Sequence, residues 1–143
     1  MILIINGPNL NLLGKREPSI YGTRTFEDYL RELRAKFPME EIEYFQSNSE
    51  GEIIDKLHKT GYDYPDCKGI VMNPGAYAHY SYAIADAITS IPVPVVEVHI
   101  SNIEAREEFR RTSVTASSCK GMLCGFGLNG YEMGVRYLTE QKH

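Results

Sequence analysis

The sequence predicts a parallel α/β sheet with helices on both faces, and three observations carry that expectation. Short apolar runs alternate with amphipathic stretches from one end of the chain to the other. Several of those runs are continuous rather than alternating, as strands buried on both faces require. Helix-like segments separate the strand-like ones, the pattern of successive βαβ units.

Residues 1–6 form the first apolar run, and Asn6-Gly7-Pro8-Asn9 turns the chain out of it. Thr25 opens a helical stretch with Phe26, Tyr29, Leu30, Leu33 and Phe37 at three- and four-residue spacing, closed by Pro38. A second strand is expected over 41–46, then an amphipathic helix over 49–60 carrying Ile53, Ile54 and Leu57. The third strand, 69–73, stops at Pro74 and Gly75. A helix over 80–90 and a strand over 94–99 follow. Residues 103–112 read as a short charged helix, 121–125 as the fifth strand and 128–141 as the closing helix.

Right-handed crossovers and five strands point to a flavodoxin-like three-layer α/β/α sandwich of strand order 2-1-3-4-5. In that fold the binding crevice opens at the C-terminal ends of strands 1 and 3, where the order reverses. No linker, repeat or low-complexity tract interrupts the pattern, so residues 1–143 are expected to form a single domain.

Composition narrows the function. A formal net charge of −4 on 143 residues lacks the positive field of a nucleic-acid binder. The apolar runs fall far short of the roughly 20 residues of a membrane span. The run over 1–5 is too short for a signal core and has no basic flank. Cys67, Cys119 and Cys124 are odd in number and form no CxxC pair, which suits reduced thiols in a cytoplasmic protein.

The unusual polar residues fall at the expected crevice. Strand 1 ends in Asn6 to Asn9, strand 3 in Asn73-Pro74-Gly75 and strand 4 in Glu97-Val98-His99. Each asparagine alone reads as a turn cap; three polar strand ends converging on one crevice read as a site. The stretch 7–24 lacks periodicity and exceeds the usual 12–15-residue limit of plain loops. It is either a solvated loop or a lid delivering Arg16 and Tyr21. Glu97 and His99 are two apart on a strand and share a face. The carboxylate there can orient the imidazole and favour its protonated form, or the histidine is an ordinary hydrogen-bonded one. A metal site on His79, His99 and Glu97 lacks a His-x₃-His pair or a second carboxylate.

Ser101-Asn102-Ile103-Glu104 has the pattern of a capping box, so a carboxylate ligand could rest on the backbone around Ile100 and Ser101. Arg106, Arg110 and Arg111 follow, and spacing singles out none of them. His79 lies within reach of the crevice, whereas Asp86 reads as a solvent-facing helix residue. Gly125-Phe-Gly-Leu-Asn-Gly130 has the spacing of a phosphate loop but no further βαβ unit to complete a dinucleotide site, and reads as close strand–helix packing.

Taken in order, several long segments resemble the type II 3-dehydroquinases over the whole length. They are Asn6-Gly-Pro-Asn-Leu-Asn-Leu-Leu-Gly14, Arg16-Glu-Pro-Ser-Ile-Tyr-Gly22, Gln46-Ser-Asn-Ser-Glu50, Asn73-Pro-Gly-Ala-Tyr-Ala-His79, Glu97-Val-His-Ile-Ser-Asn102, Arg106-Glu-Glu-Phe-Arg-Arg111 and Gly125-Phe-Gly-Leu-Asn-Gly-Tyr131. The resemblance implies dehydration of 3-dehydroquinate to 3-dehydroshikimate in the shikimate pathway, without metal or other cofactor. It implies a homo-oligomer, a dodecamer built as a tetramer of trimers. By the same resemblance Tyr21 is the base and Arg16 lowers its pKa. Asn9 holds a water on the enolate oxygen, and His99, oriented by Glu97, is the general acid. Asn73, His79 and Arg110 bind ring hydroxyls and neighbouring polar groups, and the backbone of Ile100 and Ser101 binds the carboxylate. Asp86 reaches a neighbouring subunit's site, against its solvent-facing reading. Poising a phenol near 7 takes roughly 4 kcal/mol, about what one cation at about 4 Å supplies at an effective dielectric near 20.

The chain departs from the family pattern at Ala78, where members often carry Thr, and in Ser117-Ser-Cys-Lys120. The rival reading from another class is a non-catalytic flavodoxin-like module for a flavin or nucleotide. A type I dehydratase barrel of about 250 residues does not fit the length.

Overall fold

The computed structural model describes residues 1–15, 19 and 23–141. Five parallel strands run β1 (Ile2–Asn6), β2 (Ile42–Gln46), β3 (Gly69–Asn73), β4 (Val95–His99) and β5 (Gly121–Cys124), in the order β2-β1-β3-β4-β5. The expected order 2-1-3-4-5 is therefore the observed one. The helices among the described residues are α1 (Phe26–Lys36), α2 (Glu50–Asp63), α3 (Tyr82–Ser90) and α4 (Asn129–Glu140).

Strand periodicity divides the core between the two faces of the sheet. Ile2 and Ile4 of β1 point toward Phe26, Leu33, Tyr131 and Val135 of α1 and α4. Leu3 and Ile5 point the other way, toward Ile53, Leu57, Ile84 and Ile88 of α2 and α3. Strands β1, β3 and β4 are buried at every position, which is why their sequences are continuously apolar until a polar residue is needed. Strand β5 is half-open at the sheet edge, with Met122 exposed.

Side-chain caps start α1, α2 and α3. Thr25 and Asp28 form a capping box at α1. Ser49 accepts from the Glu52 N–H at α2, and Ser81 from the Ile84 N–H at α3. Helix α3 starts at Tyr82 rather than residue 80, because Gly75–His79 is a separate 3₁₀ turn. Gly130 allows α4 to lie close on the sheet: a Cβ there would sit 3.0 Å from Val98 Cγ1. This supports the packing reading of the glycine-rich segment.

One expected element is absent. Residues 103–112 form two 3₁₀ turns, Ile103–Ala105 and Glu108–Arg110, in place of a helix. The expected capping box does not form: Asn102, not Ser101, is the cap, and its side chain accepts from the Glu104 N–H at 3.1 Å. The segment's charges gave it a helical look, but Ile103 is its one buried apolar anchor. Without an apolar stripe, a helix has nothing to hold it on the sheet.

Candidate active site

The C-terminal ends of β1, β2 and β3 are tied to one another before any site is formed. The Gly7 N–H donates to the Asn73 carbonyl at 2.7 Å, and the Ser47 N–H to the Asn6 carbonyl at 3.1 Å. Gln46 Nε2 donates to the Gly7 carbonyl at 3.2 Å. Gly7 lies so near the β3 turn that a Cβ would stand 2.5 Å from the Pro74 carbonyl oxygen, so no larger residue fits. Asn9 takes a left-handed conformation (φ 69°), which asparagine tolerates better than most residues. Its N–H is anchored on Asn48 Oδ1 at 3.0 Å.

Beneath these turns runs a buried polar chain. The Tyr131 hydroxyl donates to Asn6 Oδ1 at 2.7 Å and accepts from Asn73 Nδ2 at 3.0 Å. Asn73 Oδ1 in turn accepts from the Gly75 N–H. Asn73 is thus fixed on both sides, with one Nδ2 proton unassigned. Tyr131 is fully buried and connects β1 to β3 from α4. In the sequence Tyr131 is marked only as the end of a motif and by its place on the apolar face of α4.

Above this floor opens a cleft of about 120 Å³. Asn9, Asn73, His79, His99, Ile100, Ser101, Arg106 and Arg110 all line it. Of the residues singled out by sequence, Glu97 lies behind His99, and Asp86 is exposed on α3 and absent from the lining. Arg16 and Tyr21 lie outside the described residues. Ala78 is fully buried and does not line the cleft.

Glu97 and His99 do share a face, and Glu97 Oε2 accepts from His99 Nε2 at 2.7 Å. With Nε2 committed to the carboxylate, Nδ1 is the ring nitrogen left for the cleft. Burial by itself would raise the Glu97 carboxyl. Bonds from His99, Ser113 and Thr115, with the charge attraction of His99, hold it below the usual carboxylate range instead. Such a depressed group contributes stability above the unfolded value near 4.5, and the contribution is lost as pH falls through the folded value. Thermal unfolding followed from pH 7 to pH 3 should therefore show an acid loss in the wild type that Glu97→Gln reduces. Equal slopes for both proteins would show that Glu97 does not carry this linkage.

His79 stacks beside His99, with ring centroids 6.2 Å apart. Its Nδ1 lies 2.9 Å from the Thr112 carbonyl, an acceptor only, so Nδ1 carries the proton and Nε2 is left over. Arg110 Nε donates to Glu107 Oε2 at 2.5 Å, and its guanidinium lies over the Phe109 ring. The remaining N–H groups of that fork are those a ligand could use. The 103–105 turn is too short for a helix dipole, and Ile100 and Ser101 line the cleft just before it.

The described cysteines form no disulfide. Burial and the nearby Glu97 charge push the Cys119 thiol well up, which argues against a thiolate nucleophile there. Among the described residues no group of three or more His, Cys, Asp or Glu is placed to hold a metal ion. None of the described helices is long and apolar enough to cross a membrane.

An acid–imidazole pair, a second histidine and two arginines gathered at the switch point of a flavodoxin-like sheet define an α/β enzyme for a small polar molecule. The sequence profile described as Dehydroquinase class II matches residues 1–139. A 3-dehydroquinate dehydratase of Clostridium beijerinckii is 54% identical over 144 residues, covering 99% of this chain and 97% of that protein. One from Thermotoga neapolitana is 53% identical, covering 97% of this chain and 94% of its own. The crystal structure of a type II dehydroquinase from Butyrivibrio crossotus superposes with a TM-score of 0.91 at 48% identity, covering 97% of both chains. The chain belongs to the class II dehydroquinase family. It is accordingly an enzyme of the hydro-lyase class, and the flavin or nucleotide module is set aside.

Proposed function

We propose that this chain dehydrates 3-dehydroquinate to 3-dehydroshikimate in the shikimate pathway by a stepwise elimination through an enolate. Tyr21, as phenolate, takes a proton from carbon 2, beside the ketone, and Arg16 stabilises the charge. The enolate oxygen is met by a water held on Asn9. His99 then protonates the departing hydroxyl, so one C–H and one C–O bond break, a C=C bond forms and water leaves. Asn73, His79 and Arg110 hold the ring's polar groups, and the backbone at Ile100 and Ser101 holds the carboxylate.

The observation that carries this reading is the Glu97–His99 pair behind a cleft lined by Asn73, His79 and Arg110. A carboxylate-backed imidazole is suited to give a proton to a leaving hydroxyl. The proposed reaction makes a conjugated ketone, so its product is followed by ultraviolet absorbance. Purified protein mixed with 3-dehydroquinate should give rapid growth of that absorbance, unchanged by a chelator. A folded protein that produces none would overturn the reading.

The whole of 1–143 is taken as the catalytic domain, working in the cytoplasm. The subunits are proposed to assemble as a tetramer of trimers, with Asp86 completing a neighbour's site. Its exposure on α3, away from its own chain's cleft, supports that role. Sedimentation should give twelve times the chain mass, and Asp86→Ala should raise KM. A fully active monomer would rule out both.

A further inference from the structure

Behind the Glu97–His99 pair lies a segment that no motif marked. Residues 112–115 follow the second 3₁₀ turn and bond to both His79 and Glu97. The Val114 N–H donates to the Ala78 carbonyl at 2.7 Å, pinning the segment to the 3₁₀ turn that carries His79. The Thr112 carbonyl accepts from His79 Nδ1 at 2.9 Å. The Ser113 hydroxyl donates to Glu97 Oε2 at 2.6 Å, and the fully buried Thr115 hydroxyl donates to Glu97 Oε1. Both hydroxyl protons are then used on the carboxylate, so the 3.1 Å approach of Ser113 Oγ to Thr115 Oγ1 carries none. Ser113 Oγ is itself held by the Ala116 N–H at 3.1 Å.

We propose that 112–115 is a positioning strap, in which the Thr115 and Ser113 hydroxyls keep Glu97 ionised and aimed at His99 while Thr112 sets the tautomer of His79. Its catalytic consequence rests on the function proposed above. Glu97 is completely buried, and an unpaired carboxylate there would take up a proton. His99 supplies one donor and the strap two, and the Cys119 S–H makes a longer, weak approach to Oε1. The other titratable groups around Glu97 are Cys119, whose Sγ is 4.0 Å from Oε1, and Cys124 on β5, with His79 beyond His99. Neither thiol brings a positive charge; His99 gives the larger compensation, by its bond and its charge, and the two hydroxyls add to it. A protonated Glu97 would have no charge to hold an imidazolium, and the general acid would lose its support.

Thr115→Val keeps the volume and removes the hydroxyl, whereas Thr115→Ser keeps the hydroxyl and removes the methyl. Two readouts are taken on the full chain. The first is the unfolding free energy of each protein from pH 7 to pH 3. A strap hydroxyl that depresses the Glu97 carboxyl predicts a gap between wild type and Thr115→Val that is largest at neutral pH and narrows below about pH 4.5. The same gap at every pH would mean that Thr115 is only packing, and would overturn the proposal whether or not the enzyme turns over. The second readout is kcat with 3-dehydroquinate. It should fall in Thr115→Val, with KM close to that of wild type, and recover in Thr115→Ser, which keeps the hydroxyl on Glu97. An unchanged kcat in a folded Thr115→Val would refute the positioning role. If the wild type forms no product, the proposed reaction fails and the stability gap alone decides the strap.

Discussion

Replacing His99 with alanine is expected to lower kcat by about 10²–10⁴-fold, the usual contribution of a positioned general acid. The loss should fall mainly on kcat, because the proton is delivered in the transition state and substrate binding has other contacts. His99 is held by Glu97 Oε2 at 2.7 Å, so its removal also leaves the buried carboxylate one donor short. That shortage costs about 1–3 kcal/mol, and the variant must be shown folded before its rate is read. His99→Gln, which keeps an N–H donor, separates the two effects: it should recover stability without recovering kcat. A kcat within tenfold of wild type in a folded His99→Ala would remove His99 from the chemistry.

Tyr21→Phe is expected to be at least as damaging, abolishing most turnover while 3-dehydroquinate binding stays detectable by calorimetry. The phenol is the proposed base, and phenylalanine keeps the ring while removing the only group that accepts the proton. Other tyrosines near the site are poor substitutes. Burial pushes Tyr29 and Tyr44 up to about 12, and Tyr131 higher still, so each resists ionisation. None of the three could serve as a phenolate near neutral pH. The expected measurement is a kcat reduced by about 10²–10⁴-fold or more with a dissociation constant close to that of wild type. Near-full kcat would show that another group takes the proton.

Where polar chemistry sat at the end of a strand, the sequence was enough to place it. The Glu97–His99 bond follows from a two-residue spacing on one strand, because strand side chains repeat every second residue. Asn9 and Asn73 were legible for a related reason: they end apolar runs at the edge where the strand order reverses. The 103–112 segment misled, since charges at helical spacing do not by themselves supply a face to bury.

Apart from 103–112, the sequence alone determined the alternation of strands and helices, and with it the parallel order and the edge where the cleft opens, because hydrophobic periodicity is local and each buried face must find another. Only the tertiary structure decided which distant groups support that site. Ser113 and Thr115 look like ordinary loop hydroxyls until the fold sets them on a carboxylate 16 and 18 residues earlier. Tyr131 meets Asn6 from 125 residues away. A hydroxyl's partner is fixed by where two segments cross in space, and no periodicity in the chain records that crossing.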